Sequence, residues 1–419
     1  MKILGNSSAE PPPRAWLTVG LLWFVAFFNY LARVMLTTMH GSVLSAIPMT
    51  EAQFGLLTSI FLWVYGLLSP LAGFASDRFS RKWVITFSLF FWSVITWLTA
   101  YAKTFEELLI MRALMAVSEA SYLPAALSLI TDYHQGPTRS FAVGLHMTGV
   151  VAGYAMAGMG GWLAQHRTWG YAFALVGAVG IGYSAVLALA LKDRPRAADG
   201  PERVPIPQIR FRRALADLLR SRSFLLIFLC LGLLGAVTWV VLSWMPTFVQ
   251  ERFHLGQGAA GLSATGFLNC AALLGMLCGG AWADRWSRTQ PRARIFVTVI
   301  GFCAAAPGVL LTARADSILF AVFGLVIYGF TVCFSDSNMM PILCQVSDPR
   351  YRATGYGLLN MASTLAGGLA VYAAGALRDL RFDFGRILDG AVLGLILCAL
   401  ILLPLRPRSP AIRPLAAFP

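Results

Sequence analysis

The sequence is short of charge. Asp, Glu, Lys and Arg make up 12% of its 419 residues, whereas a soluble chain of this length carries roughly a quarter and splits into two or three domains. It also lacks paired cysteines. The seven present, including Cys230, Cys270, Cys278, Cys303, Cys333 and Cys344, are scattered singly without C-x-x-C spacing. That excludes a disulfide framework or a zinc site and leaves them as small core residues, so neither a metal nor a cofactor is expected. There is no G-x-x-x-x-G-K-[ST] loop to power an ATP-driven pump. Nor is there a nucleophile, metal-ligand set or acid pair placed near one membrane face, which argues against an enzyme. The first fourteen residues, with Pro11, Pro12, Pro13 and Arg14, lack a small-residue cleavage site after a short apolar core. The first apolar segment is therefore expected to stay as a membrane helix.

What the sequence does have is apolar length. Hydrophobic residues reach 58%, and apolar stretches recur at 17–36, 52–73, 83–102, 105–131, 138–163, 168–191, 224–249, 258–282, 294–313, 316–344, 350–375 and 386–405. About 20 helical residues cross the ~30 Å hydrocarbon layer. The composition therefore predicts an all-α integral membrane protein of twelve transmembrane helices, with both termini on one side.

The net charge of +14 would suggest nucleic acid in a soluble chain, but no base-reading module accompanies it. Of the 33 basic residues, 24 fall on the face that carries the termini and seven on the opposite face. The positive-inside rule then places both termini in the cytoplasm of a multi-pass cell-membrane protein, with a bacterial inner membrane as the expected location. A segment from Lys192 to Arg222 holds Pro195, Pro201, Pro205 and Pro207 among its charges. It cannot be a span and reads as a cytoplasmic strap, dividing the chain into bundles at 1–191 and 223–419 joined by a linker at 192–222. The arginines around Arg210, Arg212 and Arg213 are expected at the anionic lipid surface.

The halves echo each other. Gly73, Asp77, Arg78, Ser80 and Arg81 after span 2 recur as Gly280, Asp284, Arg285, Ser287 and Arg288 after span 8, at a constant offset of 207. Arg139 and Gly144 recur as Arg352 and Gly357, and Glu119 and Pro124 have a looser echo in Asp336 and Pro341. Parallel duplicated halves are the architecture of rocker-type transporters, whose site lies at mid-membrane. On these motifs the chain resembles the major facilitator superfamily over nearly its whole length. Its turn matches the family's Gly-x-x-x-Asp-Arg-x-Gly-Arg-Arg or Lys signature through Gly73, Asp77, Arg78, Arg81 and Lys82, with Ser80 where Gly is usual. The resemblance implies that Asp77 docks at the start of helix 11 and latches one face, with Asp284 and Arg285 as the symmetry-related latch.

Four charges lie deep inside spans, away from their ends: Arg33, Arg112, Glu119 and Asp336. Each costs about 2.5–3.5 kcal/mol or more at mid-bilayer if it faces lipid, so each must face protein or water. Glu119 follows Arg112 by seven residues, on the same helical face and ~10 Å deeper. That is too far for a direct pair within the helix, so the acid's partner is expected to be Arg33 or a water-linked Arg112. Two cations and one acid on a cavity wall suit an anionic substrate, with a carboxyl available to carry a proton. A purely structural ion-pair network is the competing reading.

The surrounding segments, Asn29-Tyr30-Leu31-Ala32-Arg33 and Arg112 through Ser118-Glu119-Ala120-Ser121-Tyr122, resemble those shared by the anion:cation symporters and the Spinster-type transporters. In both groups an acid in helix 1 and one in helix 4 are associated with proton coupling. Here Ala32 stands in the helix 1 position, leaving Glu119 and Asp336 as proton-coupling candidates. Substrate-binding candidates are Arg33, Arg112, Asn29, Tyr30, Tyr122, His146, Trp239 and Asn360. The expected function is secondary active, proton-coupled symport of a small organic anion such as a sugar acid, by a monomer in the bilayer. Transport of a lysolipid or another amphipathic substrate, and uncoupled facilitation, stay open as alternatives.

The latch makes a specific expectation. Asp77→Asn should shift the protein toward inward-open states, seen as longer distances between spin labels on the cytoplasmic ends of the two halves. Unchanged distances together with unchanged transport would count against it.

Overall fold

A computed structural model describes residues 13–134, 138–193, 211–347 and 352–405, apart from the side chains at 13, 70–78, 140, 211–214 and 352–353. Its helices build twelve segments long and apolar enough to cross a membrane, and no strand occurs among the described residues. In hydrocarbon a backbone amide has no water to bond, and a helix satisfies it internally.

Span 1 comprises α1 (Pro13–Met35), a 3-10 turn (Leu36–Met39) and α2 (His40–Ala46). Spans 2 and 3 are α3 (Glu51–Arg78) and α4 (Arg81–Thr99), and span 4 comprises α5 (Phe105–Glu119) and α6 (Tyr122–Tyr133). Span 5 comprises α7 (Arg139–Ala155) and α8 (Gly158–His166), and span 6 is α9 (Trp169–Ala190). After α10 (Phe211–Arg220), spans 7 to 9 are α11 (Arg222–Phe253), α12 (Gln257–Ser287) and α13 (Ala293–Arg314). Span 10 comprises α14 (Ile318–Val332) and α15 (Phe334–Val346), and spans 11 and 12 are α16 (Arg352–Asp379) and α17 (Phe384–Leu402). Ser80, Thr104, Thr168 and Ser221 start α4, α5, α9 and α11 by accepting a bond from the backbone N–H three residues on. We call the face on which α1 begins the near face and the opposite one the far face.

The apolar runs locate the spans but not their breaks. Span 4 is interrupted at Ala120–Ser121, because Pro124 has no N–H to offer the Ala120 carbonyl and its ring crowds that oxygen. Side chains take up carbonyls around the gap: the Ser118 hydroxyl donates to Met115 O at 2.8 Å, and the Ser88 hydroxyl donates to Ser118 O at 2.5 Å. Span 10 breaks at Cys333, where Ser335 donates to Val332 O and the Asn338 amide to Phe334 O, both at 2.8 Å. Within 192–222 the described residues form one short helix, α10. All four prolines precede it, and Leu218 on its apolar face is buried.

Contacts between the halves run from the far face to mid-membrane. Here α3 and α16 lie antiparallel, with the Ser59 hydroxyl donating to Gly368 O at 2.6 Å and the Trp63 indole to Leu365 O at 3.1 Å. The break between α7 and α8 exposes carbonyls that Thr38 and Thr265 occupy, at 3.0 Å to Ala157 O and 3.2 Å to Ala155 O. Beside it, α8 meets α12 so closely that a Cβ on Gly158 would sit 2.3 Å from Leu262 N. A side chain there must push the halves apart, whereas a Cβ on Gly144 would meet nothing within 4 Å.

Gly158→Val should therefore cost about 1–3 kcal/mol of stability, seen as a lower melting temperature in detergent. Gly144→Ala should be neutral or slightly stabilising. Equal melting of the two variants would refute the close-packing assignment.

Candidate functional site

The discontinuity in span 4 leaves Glu119 as the last residue of α5, facing α1 at mid-membrane. Arg33, near the end of α1, meets it with two donors on one oxygen: Nε at 3.1 Å and Nη2 at 2.8 Å from Glu119 Oε2. Asn29, one turn back on α1, accepts from Nη2 at 3.3 Å. The guanidinium carbon lies 4.4 Å from the Tyr30 ring centroid, 4.8 Å from Phe61 and 4.7 Å from Tyr65. This aromatic cage supplies the cation with π-faces in place of water. The Asn29 side chain also lies within hydrogen-bond reach of the Glu119 carboxylate, so Asn29, Arg33 and Glu119 form one buried polar group.

Arg112 is used differently. It is 2% exposed, its Nε donates to Leu57 O at 3.2 Å, and its Nη2 donates to Arg33 O at 3.0 Å. It contacts the Phe61 ring and the Met115 sulfur, at 5.0 and 3.6 Å. The guanidinium ties α5 to the backbones of α3 and α1 in this conformation. The partner of Glu119 is Arg33, the first of the two possibilities the spacing leaves open.

On the other half, Asp336 is exposed in the first turn of α15, beyond the break at Cys333. Its carboxylate lies within hydrogen-bond reach of Cys333 and Ser335. Tyr356 of α16, 52% exposed, lies within electrostatic range of both Asp336 and Tyr65. Tyr65 also caps the Arg33 cage, so Tyr356 stands between the surroundings of Asp336 and the aromatic cage of Arg33. Phe61, Tyr65 and Tyr356 are missing from the sequence candidates. The spacing of Phe61 and Tyr65 puts both on one face of α3, but aromatic residues recur at such spacings throughout the spans.

The remaining candidates fall elsewhere. Tyr122 is buried and donates to Leu22 O at 2.9 Å. His146 is fully buried, its ring centroid 6.1 Å from that of Tyr122, and neither ring nitrogen has a partner among the described residues. Trp239 packs against Gly367, and Asn360 is half-buried on α16. Of the latch residues, the side chains of Gly73, Asp77 and Arg78 lie outside the described residues. Arg81 pairs with Asp132 inside the first half, while Asp284 pairs with Arg294 at 2.5 Å inside the second. Arg285 is exposed. A separate groove of about 620 Å³ runs along α4 and α5, lined by Trp83, Phe87, Phe91 and Ser118, and includes none of the charged site residues.

Two pseudo-symmetric six-helix halves with a charge pair buried among the spans have the architecture of a membrane transporter. Residues 22–371 match the family model of the Major Facilitator Superfamily, and the chain belongs to that superfamily. It is similar to Protein spinster homolog 1 of Xenopus tropicalis, 25% identical over 378 residues that cover 86% of this chain and 72% of that protein. It is likewise similar to the Probable sulfoacetate transporter SauU of Cupriavidus necator, 24% identical over 409 residues covering 93% and 94% of the two chains. Its fold matches the crystal structure of a bacterial homolog to the human lysosomal transporter Spinster, inward-facing and unoccupied. The TM-score is 0.76 at 21% identity, covering 94% of this chain and 96% of that one.

The role of Arg112 as a tie can be measured without a substrate. Arg112→Ala strands two buried carbonyls and should cost about 2–5 kcal/mol, read as a lower melting temperature of the purified protein. Lys at this position should recover only part, since an ammonium lacks the fork that reaches both carbonyls. An Ala variant that melts like the parent would return Arg112 to the substrate-binding set.

Proposed function

We propose that this transporter is a proton-coupled symporter of a small organic anion, working by alternating access with both termini in the cytoplasm. The observation that carries this reading is the buried Arg33–Glu119 pair, in which two of the cation's donors are held by one carboxylate oxygen. A proton on Glu119 removes the negative charge and frees the Arg33 guanidinium to bind a substrate carboxylate or sulfonate within the Tyr30 and Tyr65 cage. Proton and anion are then taken up together, because each removes the obstacle to the other. With Ala32 in place of a helix 1 acid, Glu119 carries the coupling on this half, and Asp336 is the second-half counterpart. The name of the sulfoacetate relative fits a small anionic substrate.

A second reading, an amphipathic substrate such as a lysolipid, draws on the spinster relatives and on Asp336. Its exposed carboxylate would receive a cationic end. The two readings share Arg33 as the anion site. Under both, Asp77 acts as the near-face latch, and the excess of basic residues on the near face supports its cytoplasmic placement.

Glu119→Gln mimics the protonated acid. In proteoliposomes it should retain counterflow of labelled anion while accumulation driven by an imposed pH gradient falls by about tenfold or more. Full accumulation by this variant would transfer the coupling role to Asp336 or to an uncoupled mechanism.

A further inference from the structure

The far face holds a group of charges that the transport site does not use. Where α3 begins, Glu51 accepts from the His40 ring at 2.8 Å and from Arg378 Nε at 3.3 Å. Arg378, at the end of α16, also makes a two-pronged bond to Glu251 of α11, at 2.6 and 3.2 Å. Next to it Asp379 caps α3, accepting from Glu51 N at 2.8 Å and Ala52 N at 2.9 Å. These two backbone groups are among the four that a helix start leaves unpaired, and the start of the helix favours a negative charge. The Trp244 ring backs the cluster, 6.0 Å from His40 and 5.3 Å from the Arg378 guanidinium. His40, Glu51 and Arg378 are largely shielded from solvent, with side-chain exposures of 9%, 22% and 11%. Arg378–Glu51 is the ion pair that joins the two halves among the described residues.

Every bond in this set crosses or braces the seam between α3 and α16, and the halves must part there for the far face to open. The charge count gives the sign of its pH response. Glu51, Glu251 and Asp379 bring three negative charges and Arg378 one positive. The adjoining turn into α17, whose Phe384 ring lies 5.9 Å from the Arg378 guanidinium, adds Arg381, Asp383 and Arg386, and Arg252 on α11 is engaged by Asp316 at 3.5 Å. The adjoining start of α12 contributes Gln257, which is uncharged and bonds Ser42 at 2.8 Å. With His40 neutral the cluster carries excess negative charge, and a proton on His40 reduces it and strengthens the bond to Glu51. We propose that His40, Glu51, Arg378 and Asp379 form a proton-responsive lock that holds the far face closed. Protonation of His40 tightens the lock and its loss favours opening. The lock is separate from the Arg33–Glu119 pair, and it biases the conformational equilibrium without touching substrate.

The test measures the far-face distance directly. Spin labels on Ala46 and Leu319, exposed at the far ends of α2 and α14, are introduced into the full chain lacking its native cysteines and read in nanodiscs by pulsed electron resonance. Between pH 8 and pH 5.5 the ratio of closed to open populations should rise by about fivefold in the parent. His40→Gln, which keeps a neutral donor toward Glu51, should flatten the profile to within about twofold. Asp379→Asn should raise the open fraction at both pH values, because the cap is weakened whatever the state of His40. Glu119→Gln should keep the full response, which separates this lock from the coupling site. A flat parent profile, a full response in His40→Gln, or loss of the response in Glu119→Gln would each overturn the proposal.

Discussion

Hydrocarbon offers no partner to a bare carbonyl or a lone charge, and the arrangement at the centre of this protein follows from that. Breaking span 4 at Ala120 releases backbone groups at the depth where water is scarcest. The protein answers with Ser118 and Ser88 at the break, and it uses a whole arginine, Arg112, to hold the carbonyls of Leu57 and Arg33. Arg112 thereby fixes the backbone of α1 at the residue whose side chain faces Glu119. The pair is positioned by a second cation that never meets an acid directly.

A break in a helix also gives the site its geometry. Glu119 ends α5 and Asp336 opens α15, so each acid sits beside a discontinuity in a span related to the other by the internal repeat. The halves diverge from that common plan in their counter-charges. Glu119 is buried against Arg33, while Asp336 is exposed beside Tyr356. Duplication followed by this divergence gives one half a compensated charge pair and the other an accessible acid.

The same economy governs the seam between the halves. Glycines and carbonyls allow α3 and α16 to meet without apolar bulk, and the polar ends of these helices supply the fastening. Asp379 at the end of α16 takes the free amides at the start of α3. Asp77 likewise falls at the end of α3 in the sequence. Two antiparallel helices each ending in an acid can be fastened at either end, so small changes in charge at a face tilt the balance between closed and open forms.

The sequence by itself determined the twelve spans, their division into repeated halves and the presence of charges that must face inward. These follow from local quantities: the length of apolar runs, the placement of basic residues, and the cost of charge in lipid. Arg33, Arg112, Glu119 and Asp336 were legible for that reason, as residues out of place. Their pairing was decided only by the tertiary structure. Arg33 meets a residue 86 positions away, and whether Arg112 faces an anion or a carbonyl depends on how α1 and α3 approach α5. The cage of Phe61 and Tyr65 and the far-face cluster around Glu51 stayed invisible because aromatic residues and exposed-looking helix ends are ordinary in any span. They acquire a role only when α16 lies along α3, and that contact is made by packing between halves, which no local pattern in either helix encodes.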